Sequence, residues 1–227
     1  MELTNHVSAQ FNNELITLRN NILVMGGVVE QQLKVALQAL YSQDGELARQ
    51  VVETDRAVNK METDIVEACT LVLAKRQPTA SDLRFIQMVI KTSSDLELIG
   101  NTARKIARLN RKASGLQSLS SSYLNGIAFL ANGMLHRVLD AFARMDVHEA
   151  ICIYRDDDKI DEQYELLIRN LIEHMMNEPR SIPQVVEIIK CAHAIERVGD
   201  RCQNISDYII YYLEGKDMRH GTQIIDQ

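Results

Sequence analysis

The sequence predicts an all-α protein, built as two tandem antiparallel three-helix bundles related by an internal repeat, with six long helices. Three observations carry this. Apolar residues recur at helical spacing along most of the chain. Turn signals cut it into long segments, and the second half repeats local patterns of the first. The composition agrees: of 227 residues 46% are hydrophobic but only 5% aromatic, with no Trp, 10 Gly and 3 Pro. That is a poor supply of turn and strand residues for a β-sandwich or barrel.

The first helix is written in Leu15, Leu18, Ile22, Met25, Val29, Leu33, Ala36 and Leu40, one amphipathic stripe with steps of three and four. Gln43-Asp44-Gly45 ends it. The second stripe is Val51, Val58, Met61, Ile65, Cys69 and Val72. The third opens with the cap-like Ser81-Asp82 and runs through Leu83, Ile86, Val89, Ser93, Leu96, Ala103 and Ile106. The small, polar run from Ala113 to Ser122 reads as a linker, after which helices are expected near 123–145, 147–177 and 182–214. Pro78 marks the turn between the second and third helices, and Pro179 and Pro183 mark the matching turn of the second half. The predicted organisation is therefore a first bundle at 1–112, a linker at 113–122, a second bundle at 123–215 and a tail at 216–227.

Charge excludes a general nucleic-acid binder: 25 Lys and Arg stand against 31 Asp and Glu, a net charge of −6. No apolar run reaches the ~18 residues of a membrane span, and Met1 to His6 lacks a basic leader, so a cytoplasmic protein is expected. Cys69, Cys152, Cys191 and Cys202 form no Cys-x-x-Cys pair and are read as reduced thiols.

The candidate site residues come from the repeat. Asp55 and Asn59 parallel Asp157 and Asp161; Glu97 and Asn101 parallel Glu196 and Asp200. Each pair is spaced i, i+4, on one helix face. Two carboxylates there repel unless a cation lies between them, and hard cations prefer oxygen ligands. In the second half both pairs end in Asp, so Asp157, Asp161, Glu196 and Asp200 are the stronger candidate ligands; Asp55, Asn59, Glu97 and Asn101 are the weaker set. A solvated acidic face is the plainer reading of the same residues. Gly100 and Gly199, each in mid-helix, cost ~1 kcal/mol relative to Ala, which points to close approach by another backbone or a ligand. The cation is left open among Mg, Mn, Fe and Zn.

Other features carry less. Arg104, Lys105, Arg108, Arg111 and Lys112 form a basic run at a helix end, where cations suit the macrodipole; a docking surface for an acidic partner or membrane headgroups is the alternative. Asp156, Asp157, Asp158, Asp161, Glu162 and Glu165 crowd one helix start. Tyr208, Tyr211 and Tyr212 suggest core plus dimer contact, with an exposed partner site as the alternative, and the histidines, His174 and His193 included, pair with no other as ligands. There is no Gly-rich phosphate loop and no Gly-x-Ser-x-Gly, so no enzyme is expected.

Several stretches resemble one family across nearly the whole chain. They are Phe11-Asn12-Asn13-Glu14-Leu15, Met25-Gly26-Gly27-Val28-Val29-Glu30, Ala80-Ser81-Asp82-Leu83-Arg84, Glu196-Arg197-Val198-Gly199-Asp200 and Gly215-Lys216-Asp217-Met218-Arg219-His220. The sequence resembles the PhoU family, accessory proteins of bacterial phosphate-specific transport. The resemblance implies two three-helix bundles and a cytoplasmic, usually homodimeric negative regulator of phosphate uptake and of the phosphate regulon. It implies an adaptor that links the ATPase subunit of the phosphate ABC transporter to a sensor histidine kinase. It also implies iron or other cations bound through acid-x-x-x-Asp motifs, which fall on Glu196, Asp200, Asp157 and Asp161. In the first half Asn101 replaces the family's usual Asp, and Leu98 its usual Arg. The rival readings are a metal-dependent hydrolase or metal-storage protein and a metal-free structural dimer.

Overall fold

A computed structural model describes residues 9–109, 117–216 and 218. It contains α1 (Ala9–Ser42), α2 (Gly45–Arg76), α3 (Ala80–Leu109), α4 (Gln117–Arg144), α5 (Val147–Asn177) and α6 (Ile182–Glu214), with a 3₁₀ turn at Pro179–Ser181 before α6. Helices α1–α3 form one antiparallel bundle and α4–α6 the other.

The local chemistry of the two halves matches. Gln43 ends α1 at φ 54°, and Asp44 then caps α2, accepting from the Glu46 and Leu47 N–H groups at 2.7 and 3.3 Å. Met145 ends α4 at φ 52°, and Asp146 caps α5 through the Glu149 N–H at 3.1 Å. At the second turns α2 closes with a left-handed Gln77 whose N–H donates to the Leu73 carbonyl, and Pro78 follows. In α6, Pro183 occupies the first turn, where its missing N–H is no loss.

The expected stripes are the core. Leu15, Leu18, Ile22, Met25, Val29, Leu33, Ala36 and Leu40 are all buried, as are Val51, Val58, Ile65, Cys69 and Val72; each large aliphatic contributes ~1.5–3 kcal/mol. Met61 of the second stripe is only half-buried, and Leu83 of the third is exposed. It lies in the first turn of α3, beside residues expected to cap that helix. The helix starts earlier than Ser81-Asp82, at Ala80 with φ 47°, and Asp82 already donates to the Thr79 carbonyl.

The bundles join along α3–α6 and α1–α4, so the four helices make a shared core with α2 and α5 outside it. Gly26 lets α1 approach α4: a Cβ there would overlap the Leu139 side chain. Arg19 on α1 donates to the Ala143 carbonyl on α4, and Arg201 on α6 meets Asp95 on α3 at 3.2 Å. Tyr212 is buried with its ring 5.5 Å from Phe85, and Lys91 Nζ of α3 stands 5.1 Å from the Tyr208 ring, so two of the three tyrosines serve this α3–α6 seam.

Two expectations need correction. The helix α4 begins at Gln117, so Gln117 to Ser122, read as linker, is helical; no Gly or Pro stands from Leu116 to Ser122 to stop a helix, and Ser costs only a few tenths of a kcal/mol there. The other expected linker residues, from Ala113 to Leu116, lie outside the described residues, as do Arg111 and Lys112 of the basic run. And Asp156 to Glu165 stand in mid-helix, since α5 begins at Val147.

Candidate cation face on the second bundle

The two acidic sets lie where the sequence places them, at matching α2–α3 and α5–α6 contacts, but their surroundings differ. In the first half, Asp55 is 2% exposed on α2. Its Oδ2 lies 3.2 Å from Arg104 Nη1, reaching across from α3. Arg104 Nη2 donates to Asn101 Oδ1 at 2.8 Å, and Asn101 donates onward to Glu97 Oε1. The Asn59 amide, once its oxygen and nitrogen are exchanged, can donate to the Asp55 carbonyl at 3.1 Å and to Glu97 Oε1 at 3.3 Å. Burial raises the Glu97 pKa, Asn101 opposes this, and the Glu62 and Asp55 charges add to it. Beneath lies Gln32 of α1, whose Nε2 donates to the Val51 and Gly100 carbonyls at 3.2 and 3.3 Å. In this set the chain's own guanidinium supplies the positive charge, while Asp55 Oδ1, Arg104 Nε and Gln32 Oε1 stay without a hydrogen-bond partner.

The second half has the acids without the counter-charge. The correspondence that carries Glu97 to Glu196 and Gly100 to Gly199 carries Arg104 to Gln203, a neutral residue that donates to the Tyr154 carbonyl at 3.1 Å. The correspondence that carries Asp55 to Asp157 carries Gln32 to Met134. Asn59 and Asn101 become Asp161 and Asp200. Two carboxylates balanced by one guanidinium thus become four carboxylates.

Asp157 carries the consequence. It is 5% exposed, and its Oδ1 is buried without a hydrogen-bond partner. Burial, then the Asp161, Asp200 and Glu196 charges, push its pKa up to about 7. Burial and Asp200 raise Asp161. Burial and Asp200 raise Glu196 too, against His193, whose Nδ1 lies 3.2 Å from Glu196 Oε2. Gly199 makes room for this: a Cβ there would stand 2.7 Å from Asp157 Oδ1 and 2.8 Å from Ile160 Cδ1. The close approach expected at the mid-helix glycines is therefore made by side chains of the neighbouring helix.

Four carboxylates, with Asp157 Oδ1 and Glu196 Oε2 buried and without a hydrogen-bond partner, suit a cation. Among the described residues no three His, Cys, Asp or Glu side chains are grouped to hold a metal ion as they stand, so ligation requires the exposed Asp161 and half-buried Asp200 to turn toward Asp157. Neighbouring Asp156 is already answered, by Arg137 and Lys159 at 2.6 and 2.5 Å. Sequence reasoning missed Arg104, Gln203 and His193 as parts of these sets. The available signal was that Arg104 lies one turn beyond Asn101, while its counterpart has lost the charge.

Comparison with known proteins is consistent with the repeat and the fold. A family model described as the PhoU domain matches twice, at residues 22–109 and 124–209. The phosphate-specific transport system accessory protein PhoU of Serratia marcescens is 51% identical over 222 residues, covering 97% of this chain and 91% of that one. Its namesake in Escherichia coli K12 is 49% identical over 222 residues, with 97% and 92% covered. The crystal structure of PhoU from Pseudomonas aeruginosa superposes with a TM-score of 0.86 at 39% identity, over 91% of this chain and 100% of that chain. The phosphate transport system regulatory protein PhoU from Streptococcus pneumoniae gives 0.85 at 31% identity, over 92% and 99%.

Proposed function

The chain belongs to the PhoU family, and on that footing we propose that it regulates phosphate transport as a non-enzymatic adaptor. It acts in the cytoplasm, restrains phosphate uptake and the phosphate regulon when phosphate is plentiful, and does so by binding the transporter's ATPase subunit and a sensor histidine kinase. The observation that carries the reading is similarity to phosphate-transport accessory proteins over 97% of the chain. No helix among the described residues is long and apolar enough to cross a membrane, so contact with a membrane transporter runs through partners.

In this reading the α5–α6 face binds a divalent or iron cation. Asp157, Asp161, Glu196 and Asp200 would hold it, and the cation would supply the positive charge that Arg104 supplies in the first half. Binding would fix α5 against α6 and so present one stiffened outer face to a partner; coupling requires only that the partner prefer that state. Homodimerisation belongs to the same reading. Phe129, 80% exposed beside Leu37 and Tyr41 in an open groove between α1 and α4, is a surface a second copy would cover.

Deletion of the gene in its own host tests the regulatory reading. Phosphate-starvation genes and phosphate uptake are expected to stay high in phosphate-rich medium, and complementation restores repression. Normal repression in the deletion strain contradicts it.

A further inference from the structure

The repeat permits a comparison within the chain, away from the acidic face. In the second half, Met218 bridges the outer ends of two helices. The Tyr154 hydroxyl on α5 donates to the Met218 carbonyl at 3.4 Å, and the Met218 N–H donates to Asp207 Oδ1 on α6 at 2.9 Å. Met218 is half-buried against the core. There α5 and α6 hold the Met218 backbone between them.

The same correspondences carry Tyr154 to Val52 and Asp207 to Arg108, in the first half. There a groove of about 470 Å³ opens between α2 and α3. Ala48 and Ala107, small and buried, form its floor with Val52. Arg49, Arg56 and Arg108 rim it, and Glu53 lines it as well. The arginines invert the second half's chemistry, since Arg56 and Arg108 stand where Asp158 and Asp207 stand there. Among the described residues Arg56 and Arg108 join no ion pair, and Arg49 meets only the exposed Glu46, at 2.7 Å. Exposed pairs of that kind are worth little and exchange partners readily.

We propose that the α2–α3 groove binds an acidic, extended segment of a protein partner. Its carboxylates meet Arg49, Arg56 and Arg108, and a small apolar side chain rests on Ala48 and Ala107. The groove's volume and apolar floor favour a polypeptide over a lone oxyanion, and the charge reversal favours an acidic one in a chain that is itself net −6. The inference extends the adaptor reading to a definite surface but shares no residue with the acidic face, so the two fail separately.

The test is fluorescence anisotropy on the full chain at low ionic strength, with a short fluorescein-labelled peptide of alternating Glu, Asp and Leu as the probe. Saturable binding is expected, weakened by salt and reduced about tenfold or more in Arg56→Glu/Arg108→Glu. Lys190→Glu, on the exposed surface of α6, should bind as the native protein does. Circular dichroism melts establish that the variants are folded, and Arg108→Ala alone serves if the double variant is not. No binding by the native protein, equal binding by the arginine variants, or equal loss in Lys190→Glu overturns the proposal. So does displacement by stoichiometric inorganic phosphate, by phosphatidylglycerol vesicles, or by a peptide of residues 215–227 that competes better than the acidic probe.

Discussion

Gly199 on α6 and Asp157 on α5 are packed so closely that a Cβ on the glycine would stand 2.7 Å from the aspartate Oδ1. Ala is the better helix former by ~1 kcal/mol, but at this position overpacking costs ~1–3 kcal/mol, because a buried carboxylate and Ile160 must both move. Gly199→Ala is therefore expected to lower stability by about 1 kcal/mol in thermal or urea unfolding. Gly27→Ala on α1, where a Cβ meets nothing within 4 Å, is expected to raise it by a similar amount. A stabilised Gly199→Ala would mean the contact is looser than described.

Asp157 predicts a pH signature in metal-free buffer. Its folded pKa of about 7 lies above the ordinary aspartate value of 3.8, so between those limits the folded state holds more protons than the unfolded one. Stability from this group is full below about pH 4 and is lost as pH rises through 7. At ~1.4 kcal/mol per unit the swing is at most ~4 kcal/mol. Asp157→Asn should flatten that part of the stability–pH curve and melt higher than the native chain at pH 8; chelator-free Mn²⁺ should flatten the native curve as well. An unchanged slope in Asp157→Asn assigns the effect elsewhere.

Much of this was legible in the sequence, for physical reasons that also explain what was not. Helical periodicity is local, so the stripes of α1 and α2 and the proline turns could be read directly, whereas the Asp44 and Asp146 caps emerged only with the structure. The i, i+4 acid pairs were visible because both members sit on one helix. Arg104 was not, since its partner Asp55 lies on another helix and the contact exists only after packing. A basic residue near a helix end has an adequate local explanation, and that explanation hid the tertiary one. The start of α4 was missed because small polar residues look like a linker whether or not they are helical.

Arg104 should matter more to the first bundle than its neutral counterpart Gln203 does to the second. Removing one partner of a buried pair leaves the other charge uncompensated, at ~3 kcal/mol or more. Arg104→Gln is expected to destabilise by about that amount, and Asp55→Asn/Arg104→Gln to recover much of it in a double-mutant cycle. Additive losses would show that Arg104 does not act through Asp55.

The seam between the bundles offers an independent check. Gly26→Ala forces the new methyl group into Leu139 and should cost ~1–3 kcal/mol. In a Leu139→Ala background the same substitution should be nearly neutral. Equal effects in both backgrounds would place Gly26 away from the α1–α4 contact.

The central claim is that the second half lacks, and the first half contains, its own counter-cation. Calorimetric titration of the metal-free protein with Mn²⁺, beside elemental analysis, tests it most directly. The native chain should bind, Asp200→Ala should lose about tenfold or more in affinity, Glu97→Gln should bind as the native chain does, and Asn59→Asp/Asn101→Asp/Arg104→Gln should gain a further site. Binding that is absent from the native chain, or that survives Asp200→Ala while falling in Glu97→Gln, would contradict the account.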